Sequence, residues 1–383
     1  MDMTAGSVMQ AFEFHARTRV VFGPGQAARV GELAAAHGRT ALLVADPGIV
    51  SAGYADRVAA LLEASGLDVA GFHDFGENPD SAMVARGCDL AAAHPVDLIV
   101  AVGGGSSLDC AKGINFVLTN GGTVADYRGY GKTSRPMLPM IAVPTTAGTG
   151  SEAQSYAVLS DAGTHEKMAC GDPGAAFRVA VLDPELTVSS PRDLTATAGI
   201  DAVSHAVETW VTTRRTPLSD MLSREAWRLL SGAFLRVLMA PDDVEARGSM
   251  QLGAFFAGLA IEHSMLGATH ACANPLTQRY GTTHGIAISL MLPHVVRWNS
   301  RVASQRYAEL AGVRGEVRRP ESLVARLEDF IAAGEFPEGL AAAGVPERDL
   351  PELATAAATQ WTGTFNPRKF DAAGALEIYA AAY

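Results

Sequence analysis

The sequence predicts an α/β first half built on a largely parallel sheet, followed by an all-helical second half. Three observations carry this. Short runs of Val, Ile, Leu and Ala alternate with helical stretches of about a dozen residues in the first half. Several of those runs end directly in glycine, threonine or aspartate. Beyond residues 189–199 β-rich runs become scarce and helical periodicity persists to the C-terminus. Strands alternating with helices at this spacing are the signature of βαβ units, which pair their strands in parallel.

Residues 19–23 (RVVFG) read as the first strand and 26–37 as a helix with one apolar stripe. TALLVAD (40–46) is a buried strand, and 51–66 a helix that Ser51 is placed to cap. DVAGFHDF (68–75) is the next strand, 81–94 a helix, DLIVAVGGGSS (97–107) a strand running into glycines, and LPMIAV (138–143) a further strand. Such sheets bind ligands at the carboxyl ends of their strands. Asp46, residues 103–107 and residues 144–150 all fall at that edge. At the change of character, Pro191 suits a first helical turn with Ser190 as cap. The boundary is expected near 185–192, dividing the chain into 1–188 and 189–383. Residues 215–238, 241–261 and 321–334 then read as helices, and the Ala-rich stretches 353–359 and 372–382 continue them.

A chain of 383 residues, 48% hydrophobic and 19% charged, is long enough for two domains with substantial cores. A net charge of −11 without any basic run argues against a nucleic-acid surface or an anionic membrane as partner. The four cysteines (Cys88, Cys110, Cys170, Cys272) are scattered, as reduced thiols in a cytoplasm are. The first residues lack the pattern of a signal peptide, and no apolar stretch reaches the roughly 18–20 residues of a membrane span.

Two turns carry phosphate-binding chemistry. In AVGGGSSLDCAK (101–112) glycines let the backbone approach a ligand, and the following helix offers free N–H groups with partial positive charge. PTTAGTGSE (144–152) crowds Thr145, Thr146 and Thr149 at a strand end, suiting a ribose and pyrophosphate. Asp46 can accept hydrogen bonds from ribose hydroxyls and repel a 2′-phosphate, which favours NAD over NADP; a turn-forming role in DPG accounts for it equally well. In the second half Asp201 and His205 stand four apart on one helix face, and THACANPLTQRYGTTHG supplies His270 and His284. Three imidazoles and a carboxylate suit Fe(II) or Zn(II) and serve Mg or Ca poorly.

Together, GGGSSLDCAK, PTTAGTGSE, GIDAVSHAVE, THACANPL with its following THG, and TGTFNPR (362–368) resemble the iron-containing, or group III metal-dependent, alcohol dehydrogenase family. The resemblance runs in order from FGPG (22–25) to NPR (366–368). It implies the dehydroquinate synthase-like fold: an α/β dinucleotide-binding domain, an all-helical domain, and a metal in the cleft between them. On it, Asp201, His205, His270 and His284 take the metal-ligand positions. Gly104, Gly105, Ser106, Ser107 and Asp109, with Thr145, Thr146 and Thr149, match contacts to the cofactor's pyrophosphate and nicotinamide. Asp46, Asn78 and Lys167 match further nucleotide contacts, although Lys167 by itself reads as a solvated side chain.

The chain departs from the family at Asn274, where many members carry a second histidine in HAxAH, a candidate proton relay. Asn cannot carry a proton, and His263, added upstream in IEHSML, is a possible substitute. Ser107 also replaces a common proline. The implied activity is reversible hydride transfer between NAD(H) and a small alcohol or aldehyde. Phe255, Phe256 and Ile261 are candidates for an apolar wall and Arg279 for an anionic substrate tail. The alternatives are a maleylacetate reductase-like enzyme, a dehydroquinate synthase-like lyase, for which the motifs are poor in Lys and Arg, and a non-catalytic nucleotide binder. Family members are often dimers or larger, so a homo-oligomer is expected.

Overall fold

The computed structural model describes residues 11–315 and 317–383. They fall into two units, residues 15–190 and residues 191–383, the latter joined by residues 11–14. The sequence reading ran the first domain from residue 1; residues 11–14 go with the helical unit, where the Phe14 ring lies 4.8 Å from that of His263.

Strands of the first unit are β1 (Arg19–Phe22), β2 (Thr40–Ala45), β3 (Asp68–Phe72), β4 (Leu98–Gly103), β5 (Gly129–Tyr130), β6 (Met140–Pro144), β7 (Tyr156–Ser160), β8 (Lys167–Gly171) and β9 (Val179–Leu182). Helices are α1 (Val30–Ala35), α2 (Pro47–Ser51), α3 (Tyr54–Ala64), α4 (Ser81–Ala92) and α5 (Gly105–Asn120). Six strands form one all-parallel sheet in the order β1-β9-β6-β4-β2-β3. Strands β2, β4, β6 and β9 are buried at every residue, which is why they read as unbroken apolar runs. Leu43, Val100, Ile141 and Val181 pack with Val30 and Leu33 of α1 and Val58 and Leu62 of α3. Fully burying each such side chain contributes about 1.5–3 kcal/mol.

The sheet order creates a switch point. From β2 the chain leaves towards β3, on one side; from β4 it leaves towards β6, on the other. Between two such neighbours the connections diverge and leave a crevice at the strands' carboxyl ends. Asp46 follows β2 and the glycine-rich turn follows β4, so both stand at that crevice.

Two local expectations are corrected. The helix read over 51–66 is two helices broken at Gly53, whose φ of 76° is left-handed. Ser51 ends the first of them, its hydroxyl donating back to the Pro47 carbonyl, so it caps nothing. Ser190 likewise does not cap the helix that begins at Arg192: its hydroxyl donates to the Thr145 carbonyl, and Pro191 is itself the cap residue. A second, three-stranded sheet, β5-β8-β7, was not evident in the sequence; β7 and β8 form an antiparallel hairpin.

The second unit holds α6 (Arg192–Val211), α7 (Pro217–Met239), α8 (Val244–Glu262), α9 (Ala268–Tyr280), α10 (His284–Ala311), α11 (Pro320–Ala333), α12 (Leu350–Ala358) and α13 (Ala372–Ala381), with no strand among the described residues. Helix α6 is buried at every residue from Gly199 to Val211 and so forms the centre of this unit. Helix α10 bends at Ala303. Among the described residues no helix is long and apolar enough to cross a membrane.

Candidate functional site

At the switch point of the first unit, the expected residues meet. A side chain on Gly103 would strike Ser107 Oγ at 2.4 Å and approach Asp46 Oδ2 at 3.1 Å. One on Gly105 would meet Thr149 at 2.6 Å, and one on Gly104 would touch Thr146 at 3.4 Å. The three turns therefore line one another, with the N-terminus of the 16-residue helix α5 opening among them. Its first N–H groups have no intrahelical acceptor and suit an anion. Asn78 adopts φ 51°, a conformation asparagine tolerates better than most residues, and its N–H donates to Ser106 Oγ at 3.4 Å. Thr145 is buried beside these groups.

Asp46 holds the crevice together as well as facing it. Its Oδ1 accepts the N–H groups of Gly48 and Ile49, capping α2, and its Oδ2 accepts the Ser107 hydroxyl at 2.9 Å. A carboxylate has about four acceptor positions, so one remains for a ligand hydroxyl. The turn-forming and ligand-binding readings are thus compatible.

Two members of the expected set also have structural roles. Asp109 is buried and its Oδ2 accepts the Val158 N–H at 3.0 Å, tying α5 to β7, while its carboxyl also bonds Ser151 of the second turn. Burial pushes its carboxyl up, against the pull of Lys112. Lys167 opens β8, paired with Ser160 in the hairpin, and is half-buried. Lys112, which the sequence did not single out, is fully buried; its ammonium donates to the carbonyls of Ser151, Gln154 and Tyr156 at 2.7, 2.8 and 2.6 Å. Three acceptors offset the cost of burying that charge and pin the chain that follows Thr149.

In the helical unit, Asp201 and His205 project from the same face of α6, His270 from the first turn of α9, and His284 from the first residue of α10. Asp201 Oδ1 lies 3.3 Å from His205 Nε2, 3.5 Å from His270 Nε2 and 3.7 Å from His284 Nε2. His205 and His270 bring their Nε2 atoms within 3.2 Å of each other. Three imidazole nitrogens converging on one carboxylate oxygen is a poor arrangement for protein alone. Asp201 Oδ1 is buried without a hydrogen-bond partner among the described residues. A divalent cation would satisfy it, and three nitrogens with one oxygen is a donor set that Fe(II) and Zn(II) accept. The residues present fit the metal.

The electrostatics agree. Burial pushes the Asp201 carboxyl up, but His205, His270 and His284 outweigh it and hold that group well below the usual carboxylate range. Burial pushes His270 down, yet Glu208 and Asp201 raise it to about 9. A proton on that imidazole competes directly with a cation.

Close packing sets the spacing of these helices. A side chain on Gly285, beside His284, would lie 2.2 Å from the Thr197 carbonyl oxygen on α6. At the start of α9, the Ala268 N–H donates to Asn366 Oδ1 and the Thr269 N–H to Glu208 Oε1 at 2.6 Å. Asn366 is held by paired amide hydrogen bonds with Asn299, at 2.9 and 2.8 Å. The NPR motif therefore fixes the helix that bears His270. Glu208 was missed as well, although its place seven residues after Asp201 puts it on the ligand face of α6.

Other expectations resolve less favourably. Arg279 is paired with Glu352 at 2.6 Å and Asp349 at 3.4 Å, so carboxylates of the chain already take the charge assigned to a substrate tail. Phe255 and Ile261 are buried, while Phe256 is half-buried. Asn274 donates to Gln360 Oε1 at 3.1 Å. His263 is the C-cap residue of α8.

A parallel sheet with a glycine-rich switch point, in a chain that also gathers three imidazoles on a carboxylate, is the equipment of a nucleotide- and metal-using oxidoreductase. Comparison with known proteins makes the class specific. Residues 17–184 match the family model for iron-containing alcohol dehydrogenase, and residues 195–383 match that for the C-terminal part of the Fe-containing alcohol dehydrogenase family. The chain is 36% identical over 356 residues to an NAD-dependent methanol dehydrogenase of Bacillus methanolicus, covering 91% of this chain and 93% of that protein. It is 35% identical over 368 residues to alcohol dehydrogenase 4 of Schizosaccharomyces pombe, covering 95% and 87%. A crystal structure of a 1,3-propanediol oxidoreductase superposes with a TM-score of 0.94 at 31% identity, covering 98% of this chain and all of that one. The chain belongs to the iron-containing alcohol dehydrogenase family. It is an oxidoreductase that exchanges a hydride between NAD(H) and alcohols or aldehydes.

Proposed function

We propose that the chain interconverts small primary alcohols and their aldehydes, using NAD in preference to NADP and Fe(II), or Zn(II), held by Asp201, His205, His270 and His284. The observation that carries this is the convergence of three Nε2 atoms on Asp201 Oδ1 within 3.7 Å. The bound cation would supply Lewis acidity, favouring the ionised form of an alcohol and polarising a carbonyl.

The chain's own groups do the rest. Gly104, Gly105, Ser106 and Ser107, with the start of α5, would receive the pyrophosphate, and Thr145, Thr146 and Thr149 the nicotinamide end. The negative charge of Asp46 accepts a ribose hydroxyl and opposes a 2′-phosphate. Asn274 cannot relay a proton and its amide is engaged with Gln360, so proton exchange falls to water, a ribose hydroxyl or His263. Assembly as a dimer or larger is supported by β1, which among the described residues pairs only with β9 and exposes Val20 and Phe22. Four unpaired cysteines support a cytoplasmic location.

The test is NADH-linked turnover of anaerobically purified protein on a panel of short alcohols, diols and aldehydes. Each substrate is assayed as isolated, after chelation, and after restoring Fe(II) or Zn(II). Loss on chelation and recovery with one metal supports the reading and selects the metal. Turnover that ignores chelation removes the metal from the reaction.

A further inference from the structure

Glu208 belongs to no ligand set, yet both of its carboxylate oxygens are committed around one. It is buried on α6, one turn beyond His205. Its Oε2 accepts from His270 Nδ1 at 2.5 Å and its Oε1 from the Thr269 N–H at 2.6 Å. An ionised carboxylate only accepts, so Nδ1 carries a proton, and a cation that displaces the competing proton from Nε2 finds its lone pair on the side facing Asp201. Metal-ligating histidines commonly have the second nitrogen fixed in this way. His205 differs, since its buried Nδ1 has no hydrogen-bond partner among the described residues. Of these two histidines, only His270 has its tautomer and its backbone set by the same side chain.

We propose that Glu208 is a positioning residue for the metal, holding His270 in the tautomer whose Nε2 is free to ligate. The inference rests on the metal reading above. Its consequence is unusual because the Thr269 N–H can only donate. In Glu208→Gln the amide must turn its oxygen to that N–H, leaving its NH2 facing His270 Nδ1. That nitrogen must then accept, and the imidazole proton moves to Nε2, where it blocks the metal. In Glu208→Ala neither tautomer is imposed. The near-isosteric substitution should therefore harm metal binding more than the truncation does, the reverse of what a space-filling role predicts.

The experiment measures the affinity of metal-free protein for Zn(II) by competition with a chromophoric chelator. The visible spectrum of the Co(II) form and the melting temperature of each metal-free protein are recorded alongside. Loss of a partner of this kind typically weakens binding 10–100-fold. We expect Glu208→Ala near the lower figure and Glu208→Gln near the upper one, with an altered Co(II) spectrum and with Ala the less thermostable of the two. Affinity in Glu208→Gln equal to that of the unsubstituted protein, or better than in Glu208→Ala, overturns the proposal. An Asp201→Ala control separates the two layers. If the unsubstituted protein binds Zn(II) no better than this variant, the metal site itself is wrong.

Discussion

At the residue scale, single charges do most of the selecting. Asp46 is the carboxylate that follows β2, and on the proposed cofactor reading its charge would oppose a 2′-phosphate. Asp46→Gly should lower the preference for NAD over NADP by about tenfold or more, equivalent to about 1.4 kcal/mol. Specificity constants for the two cofactors check this, and an unchanged ratio would place the adenosine ribose elsewhere. Glu152 gives a pH effect instead. Burial pushes its carboxyl up to about 7, with a backbone hydrogen bond and then Lys112 only partly opposing. Between the unfolded value near 4.5 and 7, the folded chain holds a proton that the unfolded chain has released. Folding stability from this group is therefore full below about 4.5 and declines as pH rises to about 7. Glu152→Gln should remove that decline, so the variant's stability relative to the parent should rise across the interval. Urea melts at pH 4.5, 6 and 7.5 would show it, and parallel curves would count against the burial argument. Asp201 and His205 were legible as a pair because their spacing of four is local. Glu208 was not, because its partner His270 is 62 residues away and no local spacing encodes a contact of that range.

At the scale of elements, the sheet was easy to read and the caps were not. Strands β2, β4 and β6 announce themselves because burial on both faces demands apolar residues throughout. The β7–β8 hairpin alternates over only five residues per strand, with Lys167 and Ser160 at one end, and periodicity over so short a run is weak. Ser51 and Ser190 had the right residue type for caps but spend their hydroxyls on carbonyls. What fixes the start of α9 comes from two other segments, through Glu208 and Asn366. Asn366→Ala leaves the Ala268 N–H and the Asn299 amide without their buried partners, at about 1–3 kcal/mol for an unsatisfied group. Thermal unfolding of the metal-free protein should show a fall of several degrees. A melting temperature within a degree of the parent would mean that α9 is held by packing alone.

For the whole molecule, the ligands of the proposed centre come from three helices within the helical unit, so the ion would act as a cross-link that only the folded chain can hold. A ligand present at a hundred times its dissociation constant stabilises by about 2.7 kcal/mol. Adding Zn(II) to the metal-free protein should raise the melting temperature by several degrees, and Asp201→Ala should abolish the rise. A shift that survives this substitution would locate the binding elsewhere. The overall arrangement was legible because motifs appear in order along the chain. The substrate was not, since Phe255 and Ile261 proved buried and Arg279 already paired. One position has wider meaning. Gly285 acts as a gauge for how near the helix bearing His284 comes to the helix bearing Asp201 and His205, because its missing methyl would meet the fixed carbonyl of Thr197. A related chain that keeps all four donors but gains a side chain there would have the right atoms at the wrong spacing. Counting donor atoms is therefore an incomplete test of whether such a chain can hold an ion.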